Sequence, residues 1–265
     1  MPTPALFRST ALLLTTGVLS GLLLSGCAQS TDTSGLGNQS SGETTTATAP
    51  EAATSETAAE TPPAAAGEAS PAKAPNAQEK AQAQNLYTEG MVAVKQQQWD
   101  AAIPKLREAV SLDPYHVAAN SALGWSLAEK HNWDEASKYL HEAIRLDPKL
   151  ADAHNNLAWV YAEKQQWNLS IQEAKQATTL NPGNPYAFST LGWGLKATNQ
   201  REAAIDAYKK AVSLKPDMAD AYFSIAMLTC DGGDTTGAQA QVAGLTRLDA
   251  GLAQKVKARV SKGCP

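Results

Sequence analysis

The side chains suited to nucleophilic or metal chemistry are few in this chain. There are four histidines, His116, His131, His141 and His154, and three cysteines, Cys27, Cys230 and Cys264. No histidine stands at a metal-ligand spacing from a cysteine or a carboxylate pair. No nucleophile motif and no glycine-rich phosphate loop occurs. The acidic residues are spread along the chain as solubility charges. The expectation is a protein that is not an enzyme, with no metal, no cofactor and no small-molecule substrate. Three cysteines are too few for a disulfide scaffold. The formal net charge of -4 gives nothing that favours a nucleic acid.

Spacing is more informative than residue type. Leu112-Asp113-Pro114 returns as Leu146-Asp147-Pro148, Leu180-Asn181-Pro182 and Leu214-Lys215-Pro216, each thirty-four residues after the last. All six tryptophans keep that interval in two ladders: Trp99, Trp133 and Trp167, and Trp125, Trp159 and Trp193. A fixed period of this size signals stacked repeats.

The elements around the array divide the chain. Residues 1–26 read as a signal peptide. Arg8 is the sole charge, and Ala11 to Leu24 is an apolar run broken by small and polar residues. That run is too short and interrupted for a comfortable membrane span. Leu24-Ser25-Gly26-Cys27 follows directly and resembles the bacterial lipoprotein box. The resemblance implies cleavage before Cys27 and di- or triacylation of that residue (palmitate among the acyl chains). Several chains are what stable anchoring needs. Ala28 after the cysteine implies the outer membrane if the host is Gram-negative. An ordinary secretory signal is the other reading of the same run. Residues 27–76 then form a tether of Ala, Thr, Ser, Gly, Pro, Glu and Gln, with no large apolar residue between Leu36 and Leu86. Such a composition cannot offset its ordering entropy. As a coil it would span roughly 40 Å, and fully stretched on the order of 160 Å. It is a spacer or a stalk.

From residue 77 the composition turns to Ala, Leu, Glu, Lys and Gln at helical spacing. Taking proline as the thirty-second position gives units 83–116, 117–150, 151–184 and 185–218, with a degenerate fifth at 219–252 and a capping helix and tail at 253–265. Leu123-Gly124, Leu157-Ala158 and Leu191-Gly192 supply a small residue on each first helix. Ala102, Ala136, Ser170 and Ala204 supply one on each second helix, and Ala109, Ala143, Ala177 and Ala211 another. This register resembles the tetratricopeptide repeat (TPR) family. The fold implied is all-α, a solenoid of stacked antiparallel helix pairs. Leu106, Leu140 and Tyr208 should fill the space beside the small residues. Asp100, Asp134 and Asn168 should cap the second helices, and each repeat proline should end one helix and open the next. Pro104 should fall in or near a first turn.

In that family the first helices line a concave groove. Their ninth position holds Met91, Trp125, Trp159, Trp193 and Met227, beside Asn155 and Asn156. Trp and Met suit an adaptable surface for a peptide, and Asn can pair with its backbone. The alternative is that the tryptophans pack sideways and complete the core. A known variant of the fold clamps a partner's C-terminal carboxylate with Lys, Asn and Arg. Tyr87, Met91, Asp152 and Asn156 stand at those places here, so a carboxylate clamp is excluded. Cys230 ends the first helix of unit five, and the capping helix runs parallel to that helix. Cys264 should therefore lie at the same end. Either the pair is a disulfide, stabilising by roughly 3–4 kcal/mol in the entropy model, or both are free thiols.

The expected function is a membrane-anchored interaction scaffold of the cell envelope with a protein or peptide partner. By resemblance of architecture alone it is a pilotin-like assembly factor of a type IV pilus or secretion system. The alternatives are an adaptor for cell-wall hydrolases and a stalk without a specific partner.

Overall fold

A computed structural model describes residues 74–265. The lipidation site Cys27, the signal peptide and the tether up to residue 73 lie outside the described residues. The rest is helical: α1 (Ala77–Lys95), α2 (Trp99–Leu112), α3 (Val117–Glu129), α4 (Trp133–Leu146), α5 (Ala151–Glu163), α6 (Trp167–Leu180), α7 (Pro185–Ala197), α8 (Arg201–Leu214), α9 (Ala219–Asp231), α10 (Thr235–Ala240), α11 (Val242–Leu248) and α12 (Ala250–Ser261). None of these helices is long and apolar enough to cross a membrane.

The pairs α1/α2, α3/α4, α5/α6 and α7/α8 are antiparallel hairpins that stack in sequence order. Small residues decide how closely each hairpin closes. A Cβ on Gly90 would lie 2.8 Å from Leu106, one on Gly124 would lie 2.7 Å from Leu140, and one on Gly192 would lie 3.0 Å from the Tyr208 ring. Leu106, Leu140 and Tyr208 do fill that space, as the sequence implies. Unit three uses Ala158 and Ala174 at the same two places, both fully buried. Small against large and medium against medium keep interior density with one backbone geometry.

Two kinds of turn punctuate the stack, and both correct the sequence reading. The first lies within each hairpin. Gln97, His131, Gln165 and Asn199 take φ values of 57°, 61°, 59° and 58°, and Gly233 holds the same place at 84°. Each closes a Schellman motif. Gln98, Asn132, Gln166, Gln200 and Asp234 donate their amides five residues back, to Ala93, Leu127, Tyr161, Leu195 and Thr229. The second helices then begin at the tryptophan itself. Their N-cap residues Gln98, Asn132 and Gln166 make no side-chain cap. Asp100 and Asp134 are therefore not caps. They sit inside the first turn, where a carboxylate suits the helix dipole. They also reach the next unit: Lys130 Nζ lies 3.0 Å from Asp100, and Lys164 Nζ 2.6 Å from Asp134.

The second turn joins the units. The helices do end at the leucine before each Asp-Pro or Asn-Pro, but the repeat proline does not open the next helix. Pro114, Pro148 and Pro182 occupy the second place of a four-residue turn. That turn is closed by His116, Leu150 and Asn184 amides donating to Asp113, Asp147 and Asn181 carbonyls at 3.0, 3.2 and 3.2 Å. In these three turns the Asp or Asn Oδ1 accepts the amide two residues on, from Tyr115, Lys149 and Gly183; Lys215 stands at that place in the fourth. Among the described residues only Pro185 stands at a helix start. Pro104 is the sixth residue of α2, deeper than expected. Its ring removes the amide that would donate to the Asp100 carbonyl one turn back.

At the ends the pattern changes. α1 starts at Ala77, ahead of the repeat register, with a capping box of Asn76 and Glu79. The second helix of unit five is broken between Ala240 and Val242, so α10 and α11 replace one long helix. α12 starts at Ala250, capped by Asp249, whose Oδ1 accepts the Leu252 amide at 2.9 Å. It packs on α9 and α11 through Leu252, Ala253 and Val256. Cys230 and Cys264 are bonded, with Cα atoms 4.9 Å apart.

Candidate functional site

Which face is concave follows from the packing. The first helices touch along the stack, α1 on α3, α3 on α5 and α5 on α7. The second helices α2, α4, α6 and α8 make no comparable contact with one another among the described residues. The stack is tighter on the first-helix side, so that side is the inside of the curve. The middle of the wall is close-packed: Ala122 to Ala128 of α3 is buried throughout. This leaves little of the wall for a partner except where large side chains stand out from it.

The two tryptophan ladders meet there. Trp125 lies 6.4 Å from Trp99 and 5.7 Å from Trp159, ring centre to ring centre. Trp159 meets Trp133 edge-on at 5.5 Å, and Trp193 meets Trp167 at 5.7 Å. Tilted and edge-on pairs at these distances are the favourable geometries of indole rings. The turn ladder therefore props the inner ladder. Both readings of the inner tryptophans hold, at different units. Trp125 is buried at 7% exposure, while Trp159, Trp193 and Met227 are half-buried and keep an open edge.

The other expected groove residues are closed off. Met91 is buried. Asn155 is 9% exposed, and its Oδ1 accepts from Thr190 Oγ1 at 3.3 Å, tying α5 to α7. Asn156 is 3% exposed and its Nδ2 has no hydrogen-bond partner. Neither asparagine is positioned to pair with a peptide backbone, because close approach of α3, α5 and α7 covers both. The accessible part of the predicted set is Trp159, Trp193 and Met227.

The sequence reading placed Asp152 in the groove only as a departure from the carboxylate clamp, and missed the other carboxylates on this wall. Glu129 ends α3, Asp152 starts α5, Glu163 ends α5 and Asp220 lies at the start of α9. Loss of hydration raises the pKa of Glu129, Asp152 and Asp220, with Asp249 adding repulsion at Asp220. Glu163 is raised by desolvation too, partly offset by a hydrogen bond from the Trp159 indole. The available signal was their place in the thirty-four-residue register: Glu129 and Glu163 share the thirteenth position of their units, and Asp152 and Asp220 the second.

A second polar cluster lies within the hairpin of unit three. His154 Nδ1 is 2.6 Å from Glu173, and its Nε2 lies 3.1 Å from the Pro148 carbonyl. Both ring nitrogens face acceptors, so the imidazolium is favoured. The Glu173 carboxylate, and then the Pro148 carbonyl, raise the His154 pKa against its burial. The Tyr161 hydroxyl, 3.0 Å from His141 Nε2, is pushed up to about 12 by burial. This cluster joins α4, α5 and α6, with His141 at its exposed edge. Among the described residues no group of three or more His, Cys, Asp or Glu is arranged to hold a metal ion.

The comparisons with known proteins agree with the architecture. Residues 93–143, 121–185 and 186–218 each match a tetratricopeptide repeat model. That region of the chain is an array of tetratricopeptide repeats, and the fold is a TPR solenoid. Among solved structures, YrrB, described as a TPR protein with an unusual peptide-binding site, is 18% identical. It covers 69% of this chain and 94% of its own at a TM-score of 0.56. A MamA protein is 22% identical, covering 68% and 94% at 0.53. MamA from Desulfovibrio magneticus RS-1 is 18% identical, covering 64% and 96% at 0.57. At these identities the likeness is one of fold. No curated protein matches the chain.

Proposed function

We propose that this chain is a membrane-anchored scaffold of the cell envelope that binds a segment of a partner protein on its concave wall. The observation that carries the reading is the row of indoles on the inner helices, buried at Trp125 and half-open at Trp159 and Trp193. A row of rigid aromatic edges set in a packed wall is the usual form of a binding hot spot. The peptide-binding site in the description of YrrB supports the same use of this fold. The anchoring part rests on Leu24-Ser25-Gly26-Cys27 after an apolar run. Acyl chains at Cys27 and a long polar tether would hold the array near a membrane and raise the effective concentration of partners there. Within that frame the role is assembly of an envelope structure, in the manner of a pilotin. This last step rests on architecture.

The test is cross-linking capture from native membranes with the full chain. Trp159→Ala and Trp193→Ala, checked by circular dichroism for retained helix, should each lower recovery of the specific partner at least tenfold. Undiminished recovery by both would overturn the groove as the site. Cys27→Ser should move the protein from the membrane to the soluble fraction. Retention on the membrane would overturn lipid anchoring.

A further inference from the structure

We infer that the concave wall receives a cationic segment, an extended chain carrying Arg or Lys side chains at intervals. This rests on the reading of that wall as the binding face and specifies the chemistry of its partner. Three observations carry it.

The first is the distribution of charge. The inner helices α3, α5 and α9 contain no Lys or Arg. Their carboxylates are Glu129, Asp152, Glu163, Asp220 and Asp231, and only Asp231 is in an ion pair, with Arg259 at 3.3 Å. The other four have no ion-pair partner among the described residues. Lysines occur on the inner helices α1 and α7 alone. On the other helices Arg107 is paired with Glu135 and Arg145 with Glu142, while Lys130 and Lys164, which follow α3 and α5, are taken up by Asp100 and Asp134.

The second is what stands beside the charges. Trp159 is half-open on the same helix as Glu163, one turn before it, and lowers the pKa of that carboxylate against its desolvation. A guanidinium or ammonium over the ring would sit next to the carboxylate as well. Cation–π and charge attraction would then act on one group. Loss of hydration has already made these carboxylates costly to ionise, so an approaching cation would restore what the fold removed.

The third is spread. The carboxylates are not grouped tightly enough to hold one metal ion. Glu129 and Glu163 end the neighbouring helices α3 and α5, which touch and pack at about 10 Å. An extended chain covers that distance in about three residues. A point ion cannot reach both, whereas a chain with two cations about three residues apart can.

The test measures fluorescence anisotropy of three labelled peptides with full-length protein: (Arg-Leu-Gly)4, and the same chain with Gln or with Glu in place of Arg. The Arg peptide should bind at least tenfold tighter than the Gln peptide, and the Glu peptide weakest. The double variant Glu129→Gln with Glu163→Gln should weaken the Arg peptide at least fivefold and leave the Gln peptide unchanged. Equal or tighter binding of the Gln or Glu peptide overturns the inference. If such binding is lost in Trp159→Ala, the groove reading itself survives. Arg-peptide binding that ignores both the carboxylate pair and Trp159→Ala would be a general surface attraction, and both readings would fall. No binding by any of the three also overturns the cationic partner, while partner capture still tests the groove.

Discussion

The middle units and the terminal unit of this array are built from the same period but held by different means. Units two and three share one continuous core with unit one, running from Met91 to Leu169. Their inner helices touch neighbours on both sides. Their second helices are single rods, and their hairpin turns use His131 and Gln165 in the left-handed region. Unit five has its own small core with the cap, Ala226 to Val256. Its second helix is broken, its turn carries Gly232 and Gly233, and a disulfide closes its end. In a solenoid, stability is roughly a sum of unit and interface terms. A unit with a neighbour on each side gains two interfaces, whereas a terminal one gains a single interface. Covalent closure supplies at the end what stacking supplies in the middle.

The largest effect should come from breaking that closure. Cys230→Ser with Cys264→Ser should lower the stability of unit five and α12 by about 4 kcal/mol in the entropy model. Hydrogen exchange should rise in α9 to α12 and stay unchanged in α3 to α6. A uniform rise along the chain would mean that the two regions form one cooperative unit.

Next in size is the packing rule of the middle units. Gly124→Ala places a Cβ 2.7 Å from Leu140 and 3.1 Å from the Ala136 carbonyl. It should cost about 2 kcal/mol by denaturant unfolding. In a Leu140→Ala background, which resembles Ala158 and Ala174 of unit three, the same substitution should stabilise instead. An unchanged sign would show that size matching between the helices is not what sets their distance.

A smaller effect is pH-dependent and belongs to unit three alone. The His154 pKa is raised by Glu173, so the pair's contribution is fully present below the unfolded histidine value and is lost as pH rises through the folded one. Thermal melts should show stability falling across that window by about 1 kcal/mol. In His154→Asn the slope should vanish. The smallest effect compares the turns. Gln165 is exposed at φ 59°, the place that Gly233 fills in unit five. Gln165→Gly should be neutral to stabilising by roughly 0.5 kcal/mol, since relief of the left-handed conformation is partly cancelled by the greater freedom of the unfolded chain. Destabilisation beyond about 1 kcal/mol would show that the Gln165 side chain holds the turn.

The sequence by itself determined the period, the all-helical class and the small-residue contacts. Each is a local preference repeated in register. Leu before Asp-Pro stops a helix wherever it occurs, and glycine at Gly124 permits one helix distance only. The interval also placed both tryptophan ladders, and the parallel run of the capping helix set Cys264 at the end of Cys230, where the structure bonds them. What the tertiary structure decided was access. Trp125 and Trp159 are the same residue type at the same register, yet one is sealed and the other open. Asn155 looked free until Thr190 of the next unit met it. The turn aspartates looked like caps, but the helices start one residue ahead of them, and their partners are lysines thirty residues on in the next unit. Exposure and charge pairing depend on what a neighbouring unit places against each side chain. The carboxylates of the inner wall became visible as a group only once the stack fixed which face is concave.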